Sequence, residues 1–492
     1  MAHSSRVSSG FADVSPSSGK ELAADGKRAS LRHTGRVVET QPASKFDRSN
    51  RLRRLAQRLI PGGSHTYAKG DDQYPILAPG FIERGLGSHV WDVDGNEFIE
   101  YGMGNRAVGL GHAHPQVMAA ACKAMALGCN FTRPHRIEVE CAEAFLGTIS
   151  GAEMVKFCKN GSDATSAAVR LARAYTGRDM IGYCTDHPFF STDDWFIGTT
   201  PMDAGVPAQV RQLSVGYRYG DLDGAARLFS QHPGRIAALI LEPSRGDDPP
   251  AGYLHGLQLL CHANGALLIL DEMITGFRWH EGGAQQLYGL EPDLSCFGKA
   301  LANGFSVSAL AGRHEFMRLG GLDHIERPRV FLLSTTHGAE THALAAAIAS
   351  MKIYAEEPVI EHLYRQGRRL RTGIEAAARN LGVADHFKVL GRDCCLAYAT
   401  LDREGKPSQA FRTLFLQETI RHGALLPSLV VSYAHDDDDI DRTIEIVAAA
   451  LKVYARALED EVERYLVGRP SEVVYRRFNA PPAEVELPVP GQ

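Results

Sequence analysis

Residues 294–304 read LSCFGKALANG. The apolar run LSCF is followed there by one glycine and then by a lysine. Lys299 stands where a buried strand is expected to end. One interpretation is that its ammonium group extends to solvent, as is ordinary for lysine beside apolar surface. A desolvated amine instead has a lowered pKa and can attack a carbonyl carbon to form a Schiff base. Lys299 is therefore a candidate for nucleophilic catalysis.

A carboxylate has the same position after a second apolar run, in ALLILDEMITGFRW at residues 266–279. Asp271 follows the apolar ALLIL, and α/β proteins bind ligands at the carboxyl ends of such strands. A buried carboxylate needs a cation or a hydrogen-bond donor, and a protonated pyridine nitrogen would meet that need. A carboxylate that caps a helix is the alternative interpretation.

A turn and a helix follow a third apolar run, in FCKNGSDATSAAVRLARAYTG at residues 157–177. Asn160 and Gly161 are expected to form the turn, and Ser162 is expected to cap the helix. The first amides of a helix have no intrahelical partner, and with the helix dipole they can bind a phosphate group. An ordinary capped helix without a ligand is the alternative.

These three features have complementary chemistry. Pyridoxal 5′-phosphate presents a phosphate, a ring nitrogen and an aldehyde carbon to its protein. The amides at Gly161 and Ser162, the carboxylate of Asp271 and the amine of Lys299 would supply one partner for each. The sequence therefore predicts a pyridoxal-phosphate site.

Alternating strands and helices must position these residues. Between residues 154 and 315, the apolar runs MVKFC, RIAALIL, ALLIL, LSCF and SVSALAG are separated by helical patterns. This alternation is typical of a mostly parallel sheet that is covered on both faces, so the predicted fold class is α/β. Upstream, HVWDVDGNEFIEYG predicts a β-hairpin around Asp94-Gly95. Long helical patterns after residue 340 predict a second, smaller α+β domain at 340–465.

Both ends of the chain have the composition of tails. Residues 1–48 are rich in Ser, Gly, Ala and Arg, which predicts a disordered segment. An organelle transit peptide is the alternative, although Asp13, Glu21 and Asp25 disfavour it. Residues 466–492 are Pro- and Glu-rich and are expected to form a loose tail.

Composition and motifs disfavour several functional classes. The 492 residues carry a formal net charge of −5 without a long basic run, which disfavours nucleic acid as a partner. The nine cysteines form no CxxC motif, so we expect neither zinc nor disulfides, and a reducing, cytoplasmic location. No apolar run reaches about 18 residues, so no membrane span is expected. The absence of GxGxxG after a strand and of GxxxxGK[ST] weakens a nucleotide-binding interpretation.

The motifs together resemble those of the class III pyridoxal-phosphate aminotransferases, and most closely the glutamate-1-semialdehyde 2,1-aminomutase group. The most specific portion is LILDEMITGFR followed by GGAQQLYGLEPDLSCFGKALANG, in which Asp271 and Lys299 have the family spacing. The likeness extends from about Leu59 to Leu451 and includes IPGG, GHAHP and VSYAHDDDDIDRTIE. It implies fold type I, with a large domain at 111–339 and a small domain joined by residues 49–110.

The resemblance also implies roles for the candidate residues. Lys299 would form the Schiff base with the cofactor and later move the α-proton of the substrate. Asp271 would keep the pyridine nitrogen protonated, and Gly161 and Ser162 would hold the phosphate. Glu242, in LEPS, corresponds to a family acidic residue beside the cofactor, and we place it on the substrate side.

A homodimer with a shared active site is a further implication of the resemblance. In the family, a threonine from the other subunit reaches the cofactor phosphate. Alignment on ETHALAAA assigns that position to the partner subunit's Thr336, with Thr335 one register off.

Three departures from the family lie on the substrate side. Alignment on Asp194 puts Phe189 where the family has a tyrosine that stacks on the cofactor ring, and Phe190 at the next position. One alternative is that both phenylalanine rings pack in the core, and another is that His187 stacks on the cofactor. After IPGG, Lys69 is the nearby cation where the aminomutases have an arginine. STTHGAE replaces a serine-glycine-asparagine-proline run.

The implied reaction is amino-group transfer between a small-molecule amino donor and an oxo-acid, aldehyde or keto-sugar acceptor. Because the carboxylate-binding position differs, the sequence favours an intermolecular aminotransferase. The alternative is the intramolecular aminomutase reaction that forms 5-aminolevulinate. A catalytically silent scaffold is a third possibility, which the intact Lys299 and Asp271 disfavour.

Overall fold

The structure is a computed structural model that describes residues 45–246, 248–323 and 326–479. The predicted disordered tail falls almost wholly outside these residues. Its predicted end at residue 48 is too late, because the first helix begins at Asp47. Phe46, directly before that helix, is already buried.

The helices of the described residues are, in chain order, α1 Asp47–Leu59, α2 Met103–Arg106, α3 Pro115–Met125, α4 Arg136–Thr148, α5 Gly161–Thr176, α6 Asp194–Ile197, α7 Ala208–Arg211, α8 Leu222–Gln231, α9 Tyr253–Ala263, α10 Gly283–Leu287, α11 His314–Met317, α12 Thr341–Glu356, α13 Val359–Asn380, α14 Gln409–Arg421 and α15 Asp437–Glu459. None of these helices is both long and apolar enough to cross a lipid bilayer.

The strands of the same residues are β1 Ile82–Leu86, β2 His89–Asp92, β3 Glu97–Glu100, β4 Met154–Cys158, β5 Met180–Cys184, β6 Ser214–Tyr217, β7 Ile236–Leu241, β8 Leu267–Asp271, β9 Leu294–Phe297, β10 Ser308–Gly312, β11 Phe387–Leu390, β12 Ala397–Thr400 and β13 Ala424–Leu425.

A seven-stranded sheet with the order β4-β10-β9-β8-β7-β5-β6 forms the centre of the molecule. β10 is antiparallel to both of its neighbours, and the strands from β9 to β6 are parallel. Every residue of β7, β8 and β9 is buried, as expected for strands covered on both faces. The predicted α/β fold with a mostly parallel sheet is confirmed.

Successive side chains of the central strands enter two different apolar clusters, because neighbouring residues of a strand point to opposite faces. On β9, Cys296 packs in a cluster with apolar residues of α5 and α9, whereas Phe297 packs with residues of α3, α4 and α12. On β10, Leu310 and Ala311 divide in the same way. Helices therefore cover both faces of the sheet and fix the strand ends that carry the candidate residues.

The predicted hairpin around Asp94-Gly95 is confirmed, because β2 and β3 pair as antiparallel strands. The outer edge of β3 pairs with β13 in parallel, so that Ile99 lies opposite Ala424. This pairing joins the N-terminal part of the chain to a strand near its C-terminal end. The domain boundaries at 110/111 and 339/340 stay predictions.

The prediction of a loose tail from residue 466 is wrong as far as residue 479. Ser471 is only 2% exposed, and its hydroxyl and amide bond to the Thr413 hydroxyl. The Glu472 amide donates to the Asp72 carbonyl, and Arg476 forms an ion pair with the Asp72 carboxylate. Polar pairing of this kind leaves no apolar pattern in the sequence. Residues 480–492 lie outside the described residues.

Candidate active site

Lys299 lies two residues after the end of the buried strand β9 and begins a short 3₁₀ turn, Lys299–Ala302. Its φ of +47° is uncommon for a residue with a side chain. Gly298 connects the strand to this turn, and a Cβ atom there would lie 2.5 Å from Ser308 Oγ and 2.7 Å from Met273 Sδ. A side chain at 298 would therefore displace the neighbours that fix the position of Lys299.

The pKa of the Lys299 amine is lowered, chiefly by its burial. The carboxylates of Asp271 and Glu242 oppose this shift, and the nearby guanidinium groups of Arg106 and Arg278 add to it. A lowered pKa increases the fraction of neutral amine, which is the nucleophilic form. Lys299 is partly buried, and this environment favours a reactive amine over an amine that extends to solvent.

Asp271 is the last residue of β8, and its residue partner on β9 is Cys296. It is 3% exposed, and its Oδ1 accepts a hydrogen bond from the Met273 amide at 3.0 Å. Burial, and next the charge of Glu242, raise the pKa of Asp271, whereas Lys299 lowers it. The carboxylate is therefore poised to receive a cationic partner that would stabilise its ionised form.

The predicted phosphate cradle lies at the first turn of α5, but its cap differs from the prediction. Asn160 is the N-cap residue, with its amide donating to Asp163 Oδ2 at 3.0 Å, so the prediction that Ser162 caps the helix is wrong. Asparagine is itself a favoured cap and stands two residues earlier. Ser162 Oγ instead accepts a hydrogen bond from the Thr192 amide at 3.1 Å.

The amides of Gly161 and Ser162 precede the first intrahelical donor of α5, which is the Asp163 amide. Such leading amides are available for an anion. A Cβ atom at Gly161 would lie 2.8 Å from Met273 Sδ, the same atom that packs against Gly298. Met273 therefore links the first turn of α5 to the turn of Lys299, and its own amide binds Asp271. The structure thus brings the three sequence features together around one side chain.

Glu242 is buried beside this group and follows β7 directly. One of its carboxylate oxygens accepts a hydrogen bond from Arg245 Nη1 at 2.8 Å, and Oε2 has no hydrogen-bond partner among the described residues. The Glu242 amide donates to Nδ1 of the buried His187 at 3.0 Å. Nδ1 is therefore the unprotonated nitrogen, and burial lowers the pKa of His187, which favours the neutral ring.

The two phenylalanines of HPFFS have different environments. Phe190 is 1% exposed and packs edge-on against Phe196, and its ring centroid lies 6.0 Å from that of His187. Phe189 is 44% exposed and touches Phe196 with one edge, at a centroid distance of 5.9 Å. Core packing thus describes Phe190, and Phe189 retains a face for another partner.

Two other predicted site residues are exposed in the part of the chain that the structure describes. Lys69 is exposed at the rim of a cleft of about 420 Å³, whose lining also includes Arg53, Asp71 and Glu100. Thr336 is exposed, and its carbonyl accepts a hydrogen bond from the Asn130 side chain at 2.8 Å.

Arg106 and Arg278, which sequence reasoning did not single out, both lie close enough to Lys299 to lower its pKa. Arg278 lies in the segment ITGFRW, seven positions after Asp271. Arg106 lies in GMGNRAVG, where several small residues surround one cation. The sequence signal for Arg106 is the set of glycines around it. This pattern does not distinguish an arginine of an active site from an arginine on the surface.

Glu272, the neighbour of Asp271, has a structural environment. Its carboxylate accepts hydrogen bonds from the Ala284 amide at 2.9 Å, the Gln285 amide at 2.6 Å and the Thr275 hydroxyl. It thereby anchors the start of α10 below the site. Burial raises the pKa of Glu272 to about 7, although these three donors oppose the shift.

We expect Glu272 to make stability depend on pH. An unfolded glutamate has a pKa of about 4.3, so the folded state binds the proton more tightly. The resulting stability is complete below about pH 4 and is lost as the pH rises through about 7. The difference in unfolding free energy between wild type and Glu272→Gln should therefore fall by about 3 kcal/mol between pH 4.5 and pH 8, measured by urea unfolding. A difference that stays constant would contradict the expectation.

Comparison with known proteins gives one consistent family. The model of the class III aminotransferases matches residues 67–188 and 221–451. A glutamate-1-semialdehyde 2,1-aminomutase from Desulforamulus reducens is 33% identical over 436 residues, which cover 84% of this chain and 100% of the relative.

Two solved structures are similar over most of their length. The pyridoxal-phosphate internal aldimine form of the FumI protein of Sphingopyxis sp. MTA144 is 30% identical with a TM-score of 0.77, covering 86% of this chain and 99% of its own. An omega-transaminase from Sphaerobacter thermophilus is 26% identical with a TM-score of 0.74, covering 83% and 98%.

Proposed function

The chain belongs to the class III aminotransferase family, which uses pyridoxal phosphate, and from this membership we propose that it transfers an amino group through Lys299. The observation that carries the proposal is the pairing of β8 and β9. These adjacent parallel strands end at Asp271 and just before Lys299, so the carboxylate and the amine lie at the same edge of the sheet.

The residues at this edge fit the cofactor. Asp271 has a raised pKa and would be stabilised as a carboxylate by a protonated ring nitrogen. The leading amides of α5, at Gly161 and Ser162, would bind the phosphate. The Lys299 amine would bind the aldehyde carbon covalently. When bound, the cofactor supplies an electron-withdrawing ring that stabilises negative charge on the substrate carbon.

Lys299 then has two tasks in the proposed reaction. Its lowered pKa provides neutral amine for covalent attachment and, once the substrate amine has displaced it, for removal of the α-proton as a general base. Asp271 would hold a proton at the ring nitrogen of the bound cofactor. Glu242, whose Oε2 lacks a hydrogen-bond partner among the described residues, is proposed to face the substrate.

Two reactions would use this chemistry, and the names of the relatives favour the aminomutase. Curated relatives at 30–33% identity are named glutamate-1-semialdehyde 2,1-aminomutase. The sequence alone favoured an intermolecular aminotransferase because the arginine after IPGG is missing. We therefore propose the intramolecular reaction, which moves an amino group within one substrate, as the first candidate.

The intermolecular aminotransferase is the second candidate. Lys69 lies exposed at the rim of a cleft, and we find no contact between it and Lys299 among the described residues. The solved omega-transaminase and a second structure described as a transaminase with pyridoxal phosphate bound are each 26% identical to this chain. These observations support a substrate other than glutamate-1-semialdehyde.

One assay separates the two candidates. The cofactor-loaded enzyme is given glutamate-1-semialdehyde without an amino donor, beside an enzyme-free sample and Lys299→Ala. We expect 5-aminolevulinate to form in the wild-type sample alone. Product only after addition of an amino donor, with a matching change in cofactor absorbance, would support the aminotransferase. Failure of the wild type to transfer any amino group across a screen of donors and acceptors would refute both.

We also propose a homodimer in which the partner subunit's Thr336 reaches the cofactor phosphate. In support, Thr336 and Phe331, which lies five residues before it, are both exposed in the described chain. Phe331, whose exposed fraction is 68%, is a suitable contact for a second copy of the chain.

Phe189 is the proposed ring that stacks on the cofactor, because its free face is accessible. A cytoplasmic location remains part of this proposal.

A further inference from the structure

The turn Met103–Arg106 has an unusual backbone. Four consecutive residues have positive φ angles, of 42°, 59°, 58° and 68°. Three of them carry side chains, and for Met103 and Arg106 a left-handed conformation is unfavourable. Such strain persists only where the surroundings fix it, and it clusters at functional sites.

Arg278 holds this turn in place. Its Nη2 donates to the Arg106 carbonyl at 2.7 Å, and its Nη1 donates to the Ile274 carbonyl at 2.6 Å. The Arg278 side chain is buried, so these bonds are protected from water. The clamp thereby ties the left-handed turn to the loop that follows Asp271.

The residues after the turn pack on the segment that contains Lys299. A Cβ atom at Gly109 would lie 3.4 Å from the Cβ of Ala300, the residue after Lys299. The Leu110 amide donates to Asn303 Oδ1 at 2.9 Å, and Asn303 Nδ2 donates to the Gly111 carbonyl at 2.9 Å. Two independent contacts therefore place the residues that follow the turn beside Ala300 and Asn303, which are close to Lys299 in the chain.

The Arg106 side chain is half-buried and forms no ion pair within the described chain. Its positive charge contributes to the lowered pKa of the Lys299 amine. Gly104 and Asn105 line the 420 Å³ cleft that also has Lys69 at its rim. Arg106 is thus a cation without a carboxylate partner in the described chain, and the two residues before it line an open cleft.

We propose that Arg106 binds a carboxylate group of the substrate while the reacting carbon lies at Lys299. A guanidinium group binds a carboxylate through two parallel hydrogen bonds, which fixes orientation as well as position. Asp271 and Glu242 lie near the same amine and would repel a doubly charged phosphate group more than a singly charged carboxylate. Arg278 acts as a positioning residue through the Arg106 carbonyl. This assignment rests on the proposed function of Lys299.

Carboxylate binding can be measured without turnover. Acetate, succinate and glutarate are titrated by calorimetry into the cofactor-loaded wild type, Arg106→Gln, Arg106→Lys and the matched control Arg442→Gln, which changes an exposed arginine on α15. We expect at least one acid to bind the wild type, about ten-fold or more weakening in Arg106→Gln, a smaller loss in Arg106→Lys and no change in Arg442→Gln. Wild type that binds none of them, or Arg106→Gln that binds as wild type does, would overturn the assignment.

A second readout uses a pair of amines that differ in one carboxylate, 4-aminobutanoate and butylamine. The rate of change in cofactor absorbance is compared for each enzyme. Wild type should prefer 4-aminobutanoate, and Arg106→Gln should lose that preference while it still binds the cofactor. A preference that Arg106→Gln retains, or that wild type lacks, counts against the assignment. Wild type that takes up no pyridoxal phosphate would instead refute the proposed function, so the two failures are distinguishable.

Discussion

Replacement of Lys299 by alanine is expected to abolish both the covalent attachment of the cofactor and amino-group transfer. The variant loses the only proposed nucleophile and the proposed general base in one step. Proton transfer by a positioned base alone contributes about 10²–10⁴-fold to a rate. We therefore expect at least that loss in kcat, together with loss of the Schiff-base absorbance of the purified protein.

The environment of Lys299 makes this expectation specific. Burial lowers the pKa of its amine, and the preceding Gly298 packs closely against Ser308 and Met273. Lys69, the other candidate site lysine, is exposed at the rim of a cleft, so it lacks the buried environment of Lys299. The φ of +47° at position 299 is accessible to alanine at a cost similar to that for lysine, so the variant should fold.

Absorbance spectra and activity of Lys299→Ala and Lys69→Ala, prepared in parallel with added pyridoxal phosphate, check the prediction. Lys69→Ala should retain the wild-type spectrum. Addition of a small primary amine such as methylamine should restore part of the activity of Lys299→Ala, because it replaces the missing base. A Lys299→Ala protein with wild-type absorbance would show that the cofactor is attached elsewhere.

Those site residues that follow apolar strands were predictable from the sequence. Strands buried on both faces give continuous apolar runs, so the ends of β8 and β9 are visible as the points where a charged residue follows. Asp271 and Lys299 are such residues. Their adjacency, by contrast, depends on strand order, which was available only through the resemblance to the family.

Residues whose position depends on distant polar contacts were not predictable in the same way. Arg106 is placed by a bond between its carbonyl and Arg278, 172 positions away. Nothing local indicates left-handed φ angles at Met103 or Arg106, because neither residue favours them. The same reason applies to Ser471, which is buried by its bonds to Thr413 and lies in a segment with the composition of a tail.

Local propensity also failed where two suitable residues compete. Asn160 and Ser162 are both favoured N-cap residues, and the helix begins after the first of them. Asp163 stands at the third helical position from that cap, and its carboxylate accepts the Asn160 amide, which stabilises this start. The shift leaves the leading amides at Gly161 and Ser162 and so preserves the proposed phosphate site.

Replacement of Asp271 by asparagine is expected to slow the reaction strongly while the cofactor stays attached to Lys299. Asparagine has nearly the same shape, but it carries no charge to hold a proton at the ring nitrogen. Removal of a preorganised electrostatic partner of this kind costs about 10²–10³-fold in kcat. The loss should fall on the step that places negative charge on the substrate carbon.

The structure indicates why no neighbour can replace the Asp271 charge. Its carboxylate is buried at the end of β8, and Glu272, next in the chain, is engaged with α10. Glu242 is near enough to raise the pKa of Asp271, but it pairs with Arg245. In Asp271→Asn the pyridine nitrogen of the cofactor would therefore lose its proton. The cofactor ring would then withdraw electrons less strongly.

Exchange of the substrate α-proton with deuterated water, followed by NMR, isolates the step in question. Asp271→Asn should exchange about 10²–10³-fold more slowly than wild type, with little change in KM, and Asp271→Glu should recover part of the rate because it restores the charge. The cofactor content and absorbance of each variant serve as the control for attachment at Lys299. Exchange in Asp271→Asn within a factor of ten of wild type would mean that another group keeps the ring nitrogen protonated, and the role proposed for Asp271 would then be wrong.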